Sequence, residues 1–255
     1  MTDSRFSIEH YLSLASTNDL ARDRALGGAP EGLVIRAEAQ TKGRGRHGRV
    51  WQSPKGNLHV SILLRPRRPL MEAATLSLVL GLSLAETLEA EALAPELTWP
   101  NDVMVEGAKL AGILLESLAG PTGDPVIIAG MGVNVATCPT GLPYPATSLA
   151  ALGIDQTPAD LLNRFLARFA PDYDLWQERG FPAFRERWLR RAHGRGRDVG
   201  VREGHGVARG RFVDVDALGR LVIDSPAGRR LIHAGELFFP HLEDPDPARS
   251  PACCS

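Results

Sequence analysis

The sequence predicts an α+β protein in which a mixed sheet with flanking helices is followed by a small β-barrel. Strand-like apolar runs alternate with helical stretches over most of the chain. Beyond residue 194 the pattern changes to short strands separated by tight turns. A length of 255 residues, with 44% hydrophobic and 23% charged, allows one large domain and one small one.

The elements of the first half follow from caps, periodicity and turn residues. A capping cluster at 16–19 starts a short helix that Gly27 and Gly28 end. The run 73–85 is uncharged and too short to span a bilayer, so it belongs to a buried helix. The remaining elements predicted here are strands at 33–39, 57–64 and 96–99, a helix at 72–91, a hairpin of 103–106 with 109–118, and a buried strand at 126–135.

The second half begins with a helix start at Thr157 and Pro158. A second helical stretch carries Trp176, Phe184 and Trp188, aromatic residues that we expect in the core rather than in a base-stacking surface. The short strands predicted after it are 198–202, 207–215, 221–224 and 230–233. The last fifteen residues, rich in Pro, Asp and Ser, predict a disordered tail over 241–255.

The loop at 40–49 is the most informative stretch of the chain. It holds Arg44, Arg46 and Arg49 among three glycines, and it follows a strand. A guanidinium presents a fixed fork of donors that matches the oxygens of a phosphate or a carboxylate. The loop therefore predicts an anion site at the end of the sheet.

Two other interpretations of this loop are less favourable. Gly43-x-Gly45-x-x-Gly48 matches the letters of a dinucleotide fingerprint, but a turn and a β-rich run follow it instead of the required helix. The second interpretation is a basic patch that binds nucleic acid. The chain is nearly neutral, with 29 Lys and Arg against 30 Asp and Glu, and this balance argues against a broad nucleic-acid surface. A local anion site remains the better prediction.

Cysteine usage and the N-terminus bear on location. Cys138 lies alone, and Cys253 and Cys254 are adjacent in the tail, which is no metal-site spacing. The first residues contain no apolar signal-peptide core. These features predict a cytoplasmic protein that is not attached to a membrane.

Five motifs occur in the order found in biotin protein ligases, and the chain closely resembles that family from about residue 16 to residue 239. They are Ser16-Thr17-Asn18, the loop from Gly43 to Arg49 with Trp51, Trp99-Pro100-Asn101-Asp102, Lys109-Leu110-Ala111-Gly112-Ile113-Leu114 and Gly130-Met131-Gly132-Val133-Asn134. The resemblance implies a catalytic domain over 1–193, related to class II aminoacyl-tRNA synthetases, and an SH3-like domain over 194–240.

The resemblance also implies the reaction. Biotin and MgATP give biotinoyl-AMP, and the biotinoyl group passes to a lysine of the biotin carboxyl carrier protein of acetyl-CoA carboxylase. Joining two anions requires fixed cations in a dry pocket. A mobile loop over 43–49 that orders on ligand binding would seal the reactive anhydride from water.

Site residues carry over position by position. Lys109 and Arg46 are the implied catalytic cations. The implied biotin contacts are Ser16, Thr17, Asn18, Gln40, Gly43, Arg44, Gly45, Trp51 and Gly112. The implied contacts with ATP or the adenylate are Arg44, Arg46, Arg49, Asn101, Asp102, Lys109 and Asn134. Magnesium ligands stay unassigned, since the ATP phosphates can supply most of them.

The same residues have simpler interpretations when each is taken alone. Ser16 and Thr17 suit helix capping, Lys109 suits a solvated strand end, and Asn101 and Asn134 suit turns. Only the five motifs together favour the ligase.

The chain also departs from the family pattern. Thr98 stands where many members have a lysine, and His47 where an arginine is common. Only about fifteen residues precede Ser16, so we expect a monofunctional ligase without operator binding. The alternatives are a lipoate or octanoate ligase or transferase of the same fold, and a catalytically silent binding module suggested by Thr98.

Overall fold

The protein, as a computed structural model, is described for residues 5–121, 123–204 and 206–239. The strands of its larger unit are β1 (Ser7–Tyr11), β2 (Leu33–Ala37), β3 (Leu58–Leu64), β4 (Pro95–Thr98), β5 (Asp102–Val105), β6 (Ala108–Ala119) and β7 (Pro125–Val133). They form one mixed sheet in the order β1-β2-β3-β7-β6-β5-β4. β1 pairs in parallel with β2, and every other neighbouring pair is antiparallel.

The helices pack against this sheet. They are α1 (Thr17–Leu26), α2 (Leu70–Ala73), α3 (Leu76–Glu89), α4 (Pro158–Arg179) and α5 (Arg185–Leu189), with short 3₁₀ turns at Arg46–Gly48, Ala150–Leu152 and Phe181–Ala183. α3 lies against β4, β5, β6 and α4, and only Glu86 and Glu89 on it are not buried. Because α3 is enclosed along most of its length, its sequence is mostly apolar, and its two charged residues lie near its C-terminal end.

The stretch Leu70–Glu89 has the length and composition of a membrane-crossing helix, with a mean hydropathy of 1.3. However, 72% of its most apolar window is buried inside the protein. The stretch covers α2 and α3, and α3 is the buried core helix that the uncharged run at 73–85 predicts.

The smaller unit is a five-stranded antiparallel sheet of the SH3-like type. Its strands are β8 (Asp198–Glu203), β9 (Gly206–Val215), β10 (Leu221–Ser225), β11 (Gly228–Ile232) and β12 (Glu236–Phe238), in the order β11-β10-β9-β8-β12. Its inward residues, among them Val199 and Phe212, belong to the same hydrophobic cluster as α3 and β3. Trp99 Nε1 of the larger unit donates to the carbonyl of Gly219 at 2.9 Å.

Several predictions of secondary structure are confirmed. The strand at 57–64, the hairpin of 103–106 with 109–118 and the strand at 126–135 correspond to β3, to β5 with β6, and to β7. The predicted fold class, α+β with a small SH3-like barrel, is confirmed as well. Trp176, Phe184 and Trp188 are buried in the core as expected.

Other predictions are wrong in detail. The helix at 72–91 is two helices, because the Thr75 hydroxyl donates to the Glu72 carbonyl at 2.6 Å where α2 ends. Trp176 belongs to the first long helix, α4, which continues to Arg179. β1 and β12 were not predicted. The predicted tail at 241–255 lies outside the described residues, and the domain boundary at 193/194 stays a prediction.

Candidate active site

One large cavity of about 460 Å³ lies at the end of the central strands, between the sheet and β12 of the barrel. The start of α1, the loop after β2, the turn at 98–102 and the start of β6 form its walls. The predicted site residues on these walls are Ser16, Thr17, Asn18, Gln40, Arg44, Gly45, Arg46, Arg49, Trp51, Asn101, Asp102, Lys109 and Gly112. Motifs far apart in the sequence thus meet in one place.

Four neutral polar side chains beside the cavity are here called the neutral wall: Thr17, Asn18 and Ser61, which are buried, and Gln40, which is half-buried. Gln40 Oε1 accepts from the backbone N–H of Thr17 at 2.7 Å and from its hydroxyl at 3.0 Å. Ser61 Oγ lies 2.7 Å from Thr17 Oγ1 and 2.6 Å from Asn18 Oδ1. These bonds fix α1 against β3 and against the loop that follows β2, and they leave the Asn18 amide N–H without a partner among the described residues.

The capping interpretation of Ser16 and Thr17 is wrong in this structure. α1 begins at Thr17, so Ser16 is the capping position, but its side chain makes no capping hydrogen bond. Ser16 Oγ instead accepts from Arg44 at 3.2 Å. Both side chains face the cavity and are only 4% exposed.

Glycines on the central strands make room for Trp51. Gly112 of β6 and Gly132 of β7 are register partners. A Cβ on Gly132 would come within 2.3 Å of the Trp51 ring, and one on Gly112 within 3.3 Å. A Cβ on Gly130 would meet Asn18 at 2.3 Å. The glycines predicted to allow close approach on the strand at 126–135 therefore do so, and the Trp51 indole packs directly against the central strands.

The loop over 43–49, here called the glycine–arginine loop, folds as a small hairpin. The N–H of Gly45 donates to Arg49 O at 2.7 Å, and the N–H of Trp51 donates to Gly43 O at 3.0 Å. His47 at its tip has a positive φ of 56°. A short 3₁₀ turn takes the place of the helix that a dinucleotide fingerprint requires, which excludes that interpretation.

Arg46 is the arginine of this loop that is available to an anion. Its guanidinium donates to two neutral acceptors, Asn101 Oδ1 at 3.3 Å and Gly235 O at 3.0 Å. No carboxylate of the described residues lies within ion-pair distance of it. Burial lowers the pKa of Arg46 from its usual value, although the group stays charged at neutral pH. A partly buried cation that has only neutral partners favours binding of an anion.

The other two arginines are already paired with carboxylates. Arg44 contacts Glu116 at 2.9 Å and Asp19 at 2.8 Å. Arg49 forms a two-pronged contact with Glu236 of β12, at 2.5 Å for each nitrogen. The loop is thus attached to the sheet on one side and to the barrel on the other.

Lys109 supplies the second cation of the cavity. Its Nζ is 2.6 Å from Asp102 Oδ2 and lies near the rings of Trp51 and Tyr144, at 5.7 and 5.6 Å from their centroids. These neighbours hold the ammonium in one orientation. The Lys109 side chain is 17% exposed, so the solvated strand-end interpretation does not fit.

Several buried polar atoms on the cavity walls have no partner in the described part of the chain. They are Asn18 Nδ2, Trp51 Nε1, Thr98 Oγ1 and Asp102 Oδ1. An unpaired buried polar atom is costly. Two donors, an acceptor and a hydroxyl left open in one cavity indicate a polar ligand.

Two predicted residues, Gly43 and Asn134, lie away from this cavity. Gly43 begins the loop and packs against Ser53 and Trp51, where a Cβ would meet Ser53 Oγ at 2.4 Å. Asn134 donates to Thr147 O at 3.0 Å and lines a separate small cavity of about 30 Å³ beside Lys109. Asn101 lines the main cavity, but its amide already bonds to Ile113 O and Arg46. Adenine recognition by these asparagines stays a prediction.

Sequence reasoning missed several residues of the site. Ser61 is a polar residue inside a buried apolar strand, and that contrast was a usable signal. Tyr144, Glu116 and Glu236 gave no local signal, because each acts on a residue far away in the sequence.

No group of three or more His, Cys, Asp or Glu residues that could hold a metal ion occurs within the described ranges. Asp102 Oδ1 is nevertheless an unpaired carboxylate oxygen on the cavity wall. One carboxylate together with phosphate oxygens suits magnesium, which usually keeps several non-protein ligands.

Comparison with known proteins agrees with this geometry. The Biotin/lipoate A/B protein ligase family matches residues 12–134, and the biotin protein ligase C terminal domain matches residues 195–239. The biotin–[acetyl-CoA-carboxylase] ligase of Paracoccus denitrificans is 37% identical over 233 residues, which cover 88% of this chain and 97% of that ligase. The bifunctional ligase/repressor BirA of Bacillus subtilis is 32% identical, covering 88% of this chain and 71% of that protein.

A solved structure is similar over the same length. The biotin protein ligase of Aquifex aeolicus in complex with biotin and ATP has a TM-score of 0.79 to this chain and 31% sequence identity. The match covers 91% of this chain and 97% of that one. The sequence motifs, the shared fold and the cavity that brings the motifs together lead to one conclusion: the chain belongs to the biotin protein ligase family.

Proposed function

We propose that the protein activates biotin with ATP as biotinoyl-AMP and transfers the biotinoyl group to a lysine of a biotin carboxyl carrier protein. The observation that carries this proposal is the meeting of Arg46 and Lys109 in one cavity beside a neutral wall. An uncharged ring system and a charged acyl phosphate have to be held side by side, and this cavity offers both kinds of surface.

In the first step a carboxylate oxygen of biotin bonds to the α-phosphorus of ATP, and the bond to pyrophosphate breaks. Negative charge accumulates between the two reactants. Arg46 and Lys109 offset this charge from fixed positions, which lowers the barrier without reorganisation of solvent. Asp102 keeps Lys109 in place, because its Oδ2 lies 2.6 Å from the ammonium.

In the second step the neutral amine of the carrier lysine attacks the acyl carbon, and AMP leaves. The amine gives up a proton as the amide forms. The glycine–arginine loop covers the anhydride before the carrier arrives, which limits attack by water.

The neutral wall is suited to the ureido ring of biotin. The Asn18 amide offers an unpaired donor, and Ser16 and Thr17 offer hydroxyl groups beside it. The flat face of Trp51 suits the apolar valeryl arm.

Magnesium would enter with ATP, held by phosphate oxygens with Asp102 as the protein ligand, and would neutralise phosphate charge.

We further propose a cytoplasmic enzyme that binds neither DNA nor membranes. The nearly equal numbers of basic and acidic residues support this, since they leave the chain with almost no net charge to attract nucleic acid. All helices and strands of the described residues belong to the sheet unit or the barrel. Sequence-specific operator binding in a gel shift would overturn this part.

A lipoate or octanoate ligase or transferase is the alternative, because the matching family covers both substrates. The open polar atoms on the cavity walls favour biotin, since lipoate and octanoate lack a ureido group. Incubating the protein with ATP and each acid separately, then trapping the adenylate, separates the two. An adenylate with lipoate or octanoate but not with biotin would reverse the assignment.

The direct test is ATP-dependent transfer of labelled biotin to a purified carrier domain. We expect label on the carrier lysine and pyrophosphate release that requires biotin. No pyrophosphate release with biotin, lipoate or octanoate would identify a catalytically silent module. A carrier domain with its lysine replaced by arginine is the matched control.

A further inference from the structure

Glu116 of β6 lies behind the glycine–arginine loop, and two arginines share its carboxylate. Arg44 donates to it through three contacts of 2.9 to 3.1 Å, and Arg22 donates through one contact of 3.0 Å. The Glu116 side chain is 18% exposed. A carboxylate with this much burial depends on its charged partners.

Arg44 connects this carboxylate to the neutral side of the cavity. Its Nη1 donates to Ser16 Oγ at 3.2 Å, and its Nη2 lies 2.8 Å from Asp19 Oδ1. The hydrogen bond with Asp19, together with that to Glu116, raises the pKa of the Arg44 guanidinium despite its burial. The guanidiniums of Arg22 and Arg44 and the carboxylates of Asp19 and Glu116 form a cluster with no net charge. The two carboxylates offset the positive potential of Arg44, so it attracts a phosphate only weakly.

The cluster joins three separate parts of the chain. Glu116 is on β6, Ser16 and Asp19 are at the start of α1, and Arg44 is in the loop. The backbone of Arg44 also forms an isolated bridge with Val50. Contacts that hold the Arg44 side chain therefore also hold the first half of the loop hairpin over the neutral wall.

We propose that Glu116 is a positioning residue for biotin: it orients Arg44 against Ser16 and so holds the first half of the glycine–arginine loop over the neutral wall. Glu116 itself does not line the cavity and acts through Arg44. The proposal rests on the proposed function, because the ligand being positioned is biotin.

The first test is steady-state pyrophosphate release by Glu116→Gln. Glutamine keeps the size of the side chain but loses the charge and the two-pronged contact. We expect the KM for biotin to rise on the order of tenfold, as for loss of one charge-assisted contact. We expect kcat and the KM for ATP to stay within about twofold, because Arg46 and Lys109 are untouched.

Arg22→Gln is the matched control. It removes the more exposed partner of Glu116 and leaves the contacts of Arg44 in place, so the KM for biotin should change by less than about twofold. Glu116→Asp keeps the charge on a shorter side chain and should give an intermediate KM. Melting temperatures of all variants check that they are folded, and Glu116→Asp carries the test if Glu116→Gln does not fold.

A double-mutant cycle tests whether Glu116 acts through Arg44. In an Arg44→Met background, Glu116→Gln should cause little further rise in the KM for biotin. Additive effects, or an unchanged KM in folded Glu116→Gln, overturn the inference. If the wild-type protein releases no pyrophosphate with biotin, the proposed function itself fails, which is a different result.

Discussion

The two sides of the cavity are built in different ways. The neutral wall is held by short hydrogen bonds that join α1, the loop after β2, and β3, all inside the sheet unit. The charged side is assembled from the loop, from Lys109 on β6 and from Glu236 of the barrel, through ion pairs. The surface suited to a ring is therefore part of the core. The surface suited to phosphates depends on contacts between separate elements.

This comparison predicts that changes on the charged side reduce turnover and changes on the neutral side weaken biotin binding. The largest effect is expected for Lys109→Met. Biotin-dependent pyrophosphate release should fall on the order of 100- to 1,000-fold, because one of the two cations at the reacting centre is lost. Stopped-flow or coupled pyrophosphate assays measure it, with the exposed Lys42→Met as the control. Retained turnover in Lys109→Met would show that turnover does not depend on the charged side of the cavity.

Arg46→Gly tests whether the charged side also retains the intermediate. We expect adenylate still to form, but to escape and label lysines of a bystander protein such as serum albumin at least about tenfold more than wild type. Mass spectrometry of the bystander measures this. Adenylate formed without bystander labelling would argue against a retaining role for Arg46.

Gly132→Ala tests the neutral side. The new Cβ would lie 2.3 Å from the Trp51 ring, which must move. We expect a loss of about 1 to 3 kcal/mol in the free energy of unfolding and a higher KM for biotin. Gly27→Ala is the control, since Gly27 has a φ of −76° and ordinary contacts. An unchanged KM for biotin in Gly132→Ala would show that the position of Trp51 does not affect biotin binding.

The smallest effect concerns the contact between the loop and the barrel. The hydrogen bond from Arg49 lowers the pKa of Glu236 below its usual value of 4.5. A lowered pKa in the folded state means that the contact stabilises the protein above about pH 4.5 and is lost as the pH falls through the folded-state pKa. The wild type should therefore melt slightly higher than Glu236→Gln at pH 7, and the difference should vanish in acid. A difference that persists in acid would exclude the ion pair as its cause.

Sequence patterns found most of the fold and the cavity walls, and their limits have physical reasons. β3 and β7 are buried and rich in β-branched and aliphatic residues, so each stands out in the sequence as a mostly apolar run of strand length. β1 is an edge strand with mostly exposed residues, and it lacks such a signal. The break between α2 and α3 lies at Thr75, whose hydroxyl bonds to the nearby Glu72 carbonyl. The pattern of apolar residues along the sequence does not reveal such a bond.

Within the site, the motifs identified the side chains but not their partners. Arg44, Arg46 and Arg49 are alike in sequence, yet one pairs with Glu116, one with neutral acceptors and one with Glu236. These partners are 55 to 189 residues away along the chain. Only the sheet register and the packing of the barrel decide which arginine keeps its charge available.

The continuous hydrophobic cluster that α3 shares with the barrel strands has a consequence for engineering. A fragment ending near residue 193 would expose apolar residues of both units to water, so the barrel is not a removable appendage. Exchanging it for the barrel of a relative would require the facing residues to be redesigned at the same time. The two units should melt together in a single cooperative transition.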